Sequence, residues 1–337
     1  MWYSPRARWD FVLARRKRFH MIKRRRSKGA LAWPLAATCL MVTVLRAQQR
    51  SLAERLGYPA NAKLLILHAD DLGVAHSVDD ASFKALDAGA VSSASVIVTA
   101  PWLEEVAEYF KAHPDRDLGI HLALTSEWKN YRWGPAAPRD QVPSLIAPDG
   151  YFYSDTGPAA SHAKAEEAER EIRAQLEWAE RLGIHPTHLD IHMGTLAARP
   201  ELYQALMRVA HEKRLPLMAV RVTDERAKWL SMLAPTDVAL DSLVMFDPKI
   251  PPSAWTASYV KALAALSPGV HEMIVHLGHD DSELEAITAG HPDYGAAWRE
   301  RDFQAVTSLE FRQALKANHI TLIHWKDFQK LGPQRAP

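Results

Sequence analysis

Beyond residue 60 the chain alternates short apolar, β-rich runs with amphipathic stretches of helical spacing. The apolar runs predict strands over 63–69, 94–100, 117–124, 187–193, 216–222, 241–246, 270–277 and 320–325. Between them, "SVDDASFKALDAG" (77–89), "PWLEEVAEYFKAH" (101–113) and "AKAEEAEREIRAQLEWAERLG" (163–183) predict helices, the last closed by a glycine after its final turn. Repeated alternation of this kind means parallel strands joined by helical crossovers. Eight strands favour an α/β fold of the closed, nearly closed or distorted β/α-barrel type over an open sheet. One connection breaks the rhythm: residues 125–162 carry five prolines and no period. A connection that long in a compact domain is usually functional.

Composition changes the picture at the N-terminus. Residues 1–50 hold 13 Lys/Arg and a single acid, Asp10, leaving 28 basic and 39 acidic residues in 51–337. The body is therefore acidic although the whole chain has a net charge of +1, which argues against nucleic acid or an anionic membrane as its partner. The basic excess precedes an apolar run: "KRRRSKG" (23–29), "ALAWPLAATCLMVTVL" (30–45), then "RAQQ". That is the layout of a secretory signal, with cleavage expected after Ala47 and export to the periplasm or beyond. Sixteen apolar residues are short for a span of about 20. A retained N-terminal anchor is the competing reading, and Met21 competes with Met1 as the start. On this view 1–50 is a targeting segment and 60–330 one domain. The single cysteine, Cys39, lies in the targeting segment, so the body carries no disulfide or thiol chemistry.

In a β/α barrel the chemistry sits at the carboxyl ends of the strands. There the chain places Asp70 and Asp71 of "HADDLG", His121 of "GIHLALT", His276 of "HEMIVHLG", and the alternating His188, Asp190 and His192 of "THLDIHMG". Each alone has a plain reading: Asp-Asp-Leu-Gly as a turn with a helix cap, a lone histidine as a hydrogen-bonded structural residue. Three polar residues on one face of an apolar strand are costlier to bury without partners. "HEMIVH" is not a zinc-protease motif, because three residues rather than two separate its histidines and it lies in a β-rich run. Two imidazoles and a carboxylate suit a divalent metal with open positions. A second carboxylate nearby could take the proton of an activated water, which makes metal-assisted hydrolysis the expected chemistry.

Taken in order, "LLILHADDLG", "GIHLALT", "THLDIHMG" and "HEMIVHLG" resemble the motifs of the YdjC-like carbohydrate deacetylases, the family containing chitooligosaccharide deacetylase and the hopanoid-linked deacetylases. The resemblance runs from about residue 63 to 325. It implies a barrel related to that of the polysaccharide deacetylases, and hydrolysis of the N-acetyl group of an amino sugar or oligosaccharide with release of acetate. It further implies Asp71, His121 and His192 as ligands of one divalent ion, zinc or magnesium first, manganese or cobalt also accepted. Asp70 would be the general base and His276 the general acid. Two departures stand out. Met193-Gly194 replaces the further histidines common in the family, and His276-Leu277-Gly278 replaces a His-Pro-Gly.

Around this set, Arg221 would orient Asp70 or bind substrate, or form a surface salt bridge. His188 and Asp190 would support the ligands, and His68 and His324 read as structural. Trp128, Tyr131 and Trp133 would either face sugar rings or pack the long loop onto the barrel, with Tyr151 and Tyr153 as further candidates. Two rival functions remain open: hydrolysis of another bond such as a phosphoester, which a dinuclear site would favour, and an inactive sugar-binding barrel, which would need neither Asp70 nor His276.

Overall fold

The structure, a computed structural model, describes residues 50–221, 232–234 and 237–331. The targeting segment expected over 1–50 lies outside them except for Arg50. No helix among the described residues is long and apolar enough to cross a membrane.

Among the described residues seven strands form one parallel sheet: β1 (Lys63–Leu72), β2 (Ser93–Val96), β3 (Leu118–Leu122), β4 (Leu189–Ile191), β5 (Ser242–Val244), β6 (Gly269–Val275) and β7 (Ile320–Leu322). Their order is β4-β3-β2-β1-β6-β5, with β7 paired to the first residues of β1. The run expected as a strand over 216–222 is not one over its described residues, 216–221. It contributes two isolated parallel bridges, Leu217 to Leu189 of β4 and Val220 to Leu240 just before β5. Pro216, which has no N–H, contributes only its carbonyl, accepting from Leu189 N at 2.8 Å. These isolated bridges link β4 to the residues just ahead of β5, the two ends of the sheet order, without a strand between them.

β1 is the axis of the fold, buried along all but its first residue. Its side chains alternate between two environments. Leu65 and Leu67 join the large cluster that includes helix residues such as Val78 and Ala81. Leu64 and Ile66 join a smaller one with Val270, Leu240 and Trp325. The positions that continue this second face are His68 and Asp70, so apolar packing at one end gives way to polar groups towards the carboxyl end.

The proline-rich connection is packed down. Glu171, on the helix Ala165–Arg181, accepts from Ala136 N at 2.8 Å and Ala137 N at 2.9 Å, and Glu167 accepts from Ser144 N at 2.7 Å. Burial pushes the Glu171 carboxyl up to about 7, against those backbone donors and Gln175.

Candidate active site

The two adjacent aspartates owe their shared direction to a β-bulge. Ala69 pairs with Ala94 and Leu72 with Val96, so three steps along β1 answer two along β2. Ordinary alternation would send Asp70 and Asp71 to opposite faces; the extra residue cancels it. Asp71 takes the strain, with φ 68 in the left-handed region, at a cost of order 1–3 kcal/mol. As a result His121 Nε2 lies 3.8 Å from Asp70 Oδ2 and 3.4 Å from Asp71 Oδ1.

Asp71, His121 and His192 converge, offering donor atoms that all lie within 4.8 Å of one another in a buried setting. Asp71 Oδ1 is 3.3 Å from His192 Nδ1 and has no hydrogen-bond partner. Each of the three is held from elsewhere. Asp71 Oδ2 accepts from Arg299 Nη2 at 2.7 Å, His121 Nδ1 donates to Asp190 Oδ1 at 2.7 Å, and His192 Nε2 donates to Glu127 Oε2 at 3.0 Å. An orphaned buried carboxylate oxygen facing two imidazole nitrogens fits a divalent cation, and carboxylates behind metal-binding imidazoles are the usual support. Asp190 thus has the supporting place expected for it.

The electrostatics follow from this crowding. Burial pushes the Asp71 carboxyl up, but Arg299, His192 and His276 outweigh it and hold the group well below the usual carboxylate range. Burial likewise disfavours charge on His192, yet Glu127 and Asp71 push its ring up to about 10. His121 is raised the same way, burial being overcome by Asp190 and Asp70.

His276 follows β6, where its backbone N donates to Asp302 Oδ2 at 3.0 Å and its ring meets Tyr294 edge-on at 5.0 Å. Asp302 also accepts from Tyr259 Oη at 2.6 Å and Trp255 Nε1 at 2.8 Å. Burial, reinforced by Arg299, holds the His276 ring below the usual imidazole range although Asp71 and Asp70 oppose it. The structure therefore brings together Asp70, Asp71, His121 and His192, with His276 near enough to Asp71 and Asp70 to feel their charge.

Other expectations fare differently. Arg221 is 61% exposed, with Nε 3.6 Å from Asp241 Oδ1, so the surface pair is what forms and the arginine at the site is Arg299. Trp128 and Trp133 are 2% and 3% exposed and pack edge to face at 5.6 Å; neither offers a flat face to a sugar. Tyr131 is half-buried and donates to Val74 O at 2.6 Å. The loop aromatics are packing: Trp128 lies against the Arg299 guanidinium and Trp133 beside His192. Tyr151 is exposed beneath the Arg132 guanidinium, and Tyr153 stacks on His162. His188 gives the three converging residues no hydrogen bond. It stacks on Trp325 and meets His68 edge-on, and burial lowers its pKa to about 4. His324 is at the surface, 3.4 Å from Asp327. His68, read as structural, contacts both Asp70 and Asp190.

Three residues at the site went unread: Glu127, Arg299 and Asp302. The signal for the last two is their spacing of three on the helix Ala296–Thr307, which puts two charges on one buried face. Glu127 carried no such signal.

A family model described as YdjC-like protein matches residues 64–317. The chain belongs to the YdjC-like family. Relatives of this YdjC-like protein include a carbohydrate deacetylase of Thermus thermophilus, 34% identical over 278 residues that cover 80% of this chain and 95% of that one. A carbohydrate deacetylase of Brevibacillus brevis is 34% identical over 275 residues, covering 80% and 99%. Among solved structures, the YdjC-like chain is similar to a protein of Enterococcus faecalis V583 whose name refers to cellobiose-phosphate cleavage. The TM-score is 0.68 at 25% identity, covering 79% of this chain and 98% of that one.

Proposed function

We propose that this chain is a carbohydrate deacetylase that hydrolyses the acetamide of an N-acetylated amino sugar or oligosaccharide to acetate and a free amine. The names of its relatives support the substrate class. The observation that carries the reading is the division of partners at the bulge. Asp71 faces both His121 and His192 with an unpartnered oxygen, while Asp70, which also has an unpartnered oxygen, shares only His121 with that set.

Asp71, His121 and His192 would hold one divalent ion, with zinc or magnesium favoured and manganese or cobalt suited to the same donors. Such an ion, when bound, acidifies water and polarises a carbonyl oxygen. Asp70 takes the proton of the attacking water. His276 protonates the departing nitrogen. Arg299 and Asp190 keep Asp71 and His121 in place during turnover. We place this activity outside the cytoplasm on the strength of the basic and apolar order of residues 23–45.

The test is acetate release from N-acetylglucosamine oligomers by the purified protein, stripped with a chelator and reloaded with zinc, magnesium, manganese or cobalt. At least one metal is expected to restore release. Failure with every metal on every acetylated amino sugar contradicts the proposal.

A further inference from the structure

Beneath the site sits a histidine with an unusual load. His68 Nε2 lies 3.0 Å from Asp190 Oδ2, 3.1 Å from Asp70 Oδ1 and 3.1 Å from Ser95 Oγ. Ser95 Oγ itself donates to Asp190 Oδ2 at 2.8 Å. On the other side of the ring, Nδ1 is 3.7 Å from Glu272 Oε1, which accepts from Trp325 Nε1 at 2.8 Å. The whole group is buried. Buried carboxylates with no cation beside them are costly, and Asp70 is given no other cationic side chain at such short range among the described residues.

His68 therefore joins two carboxylates of different function. Asp190, through its other oxygen, fixes His121. Asp70 is the base of the reaction proposed above, on which this inference rests. We propose that His68 is a positioning residue that ties Asp70 to Asp190, so that the base keeps its place relative to the ligand His121. Strand geometry makes this possible, because residues 68 and 70 of β1 share a face and the bulge begins only after Ala69. Burial alone would keep the ring neutral, but Asp190 and Asp70 outweigh it and hold its pKa well above the usual imidazole range, in keeping with a cation between them. The same geometry competes with a different occupant. His68, His188 and Asp190 present donor atoms within 4.8 Å of one another, so a second metal ion there would take the nitrogen that faces Asp70.

The experiment uses the full metal-loaded protein and three readouts. Metal analysis is expected to give one ion per chain; two ions, with the second lost in His188→Ala, overturn the proposal. In steady-state kinetics on N-acetylglucosamine oligomers, His68→Met is expected to lower kcat roughly 10–100-fold with KM changed less than about two-fold, and His68→Gln, which keeps an N–H donor, to recover much of the loss. Unchanged kcat in His68→Met, or equal kinetics in the two variants, overturns it. Independently of activity, the His68 Nε2–H proton resonance should move in Asp70→Asn and hold its place in Asp71→Asn. If the wild-type protein releases no acetate, the functional reading fails, and the resonance alone decides on His68: immobility in Asp70→Asn overturns the proposal.

Discussion

Arg299 Nη2 donates to Asp71 Oδ2 at 2.7 Å, with both side chains almost fully buried. This pair turns one oxygen of the strained aspartate away from the imidazoles and leaves the other facing them. Arg299 is fixed in turn, its Nε donating to Tyr294 O at 2.8 Å. Removing it strands a buried carboxylate. Arg299→Ala is expected to lower the stability of the metal-free protein by about 3–5 kcal/mol in urea unfolding. A saturating divalent ion should recover part of that loss, because it supplies the missing positive charge. Arg299→Lys should rescue poorly, since an ammonium cannot hold both partners in the same plane. Loss of less than about 1 kcal/mol in Arg299→Ala would show that the pair is not what stabilises Asp71.

Asp190 holds His121 Nδ1 at 2.7 Å. Asp190→Asn is expected to weaken metal binding by roughly 10–100-fold, read by competition with a coloured chelator. Unaltered affinity would mean that His121 is oriented by its strand alone.

The imidazole of His192 yields a pH dependence. Its pKa in the folded, metal-free chain is pushed up to about 10, against the usual 6.5. Between those values the folded state binds the extra proton, so the unfolded state binds fewer, and stability must fall as pH rises. The stabilisation is complete below about pH 6.5 and gone above about pH 10. For the same reason, metal uptake near neutral pH should displace a proton from His192, and affinity should rise with pH. Calorimetry of metal binding in buffers of different ionisation enthalpy measures that release. Binding without proton release would remove His192 from the ligand set.

Gly119, on β3, shows how tightly the interior is filled. A methyl group there would overlap the ring of His188, which stacks on Trp325. Gly119→Ala is expected to cost about 1–3 kcal/mol by thermal unfolding. Wild-type stability would show that the His188 ring is free to move.

Much of this arrangement was legible in the residues. The apolar runs located β1 and β6, and polar residues at strand ends picked out Asp70, Asp71, His121, His192 and His276, because in a barrel strand-end position is nearly the same thing as site position. What was not legible depended on distances the chain does not write down. Arg299 reaches Asp71 from 228 residues away. Whether Trp128 and Trp133 face solvent or the barrel was undetermined by their spacing, and the fold resolved it by burying both. The run at 216–222 has the composition of a strand, but it starts at a proline and pairs only through isolated bridges, which left Arg221 outside. His68 looked structural because alternation says which way a side chain points and nothing about what it meets.

In the proposed mechanism the bulge gives two adjacent aspartates different work. This division is tested by measuring metal content and acetate release together in Asp70→Asn and Asp71→Asn. Asp70→Asn should keep its metal and lose roughly 10²–10⁴-fold in kcat, while Asp71→Asn should lose the metal itself. An Asp70→Asn protein that works at the wild-type rate, or an Asp71→Asn protein that holds metal as tightly as the wild type, would contradict the account.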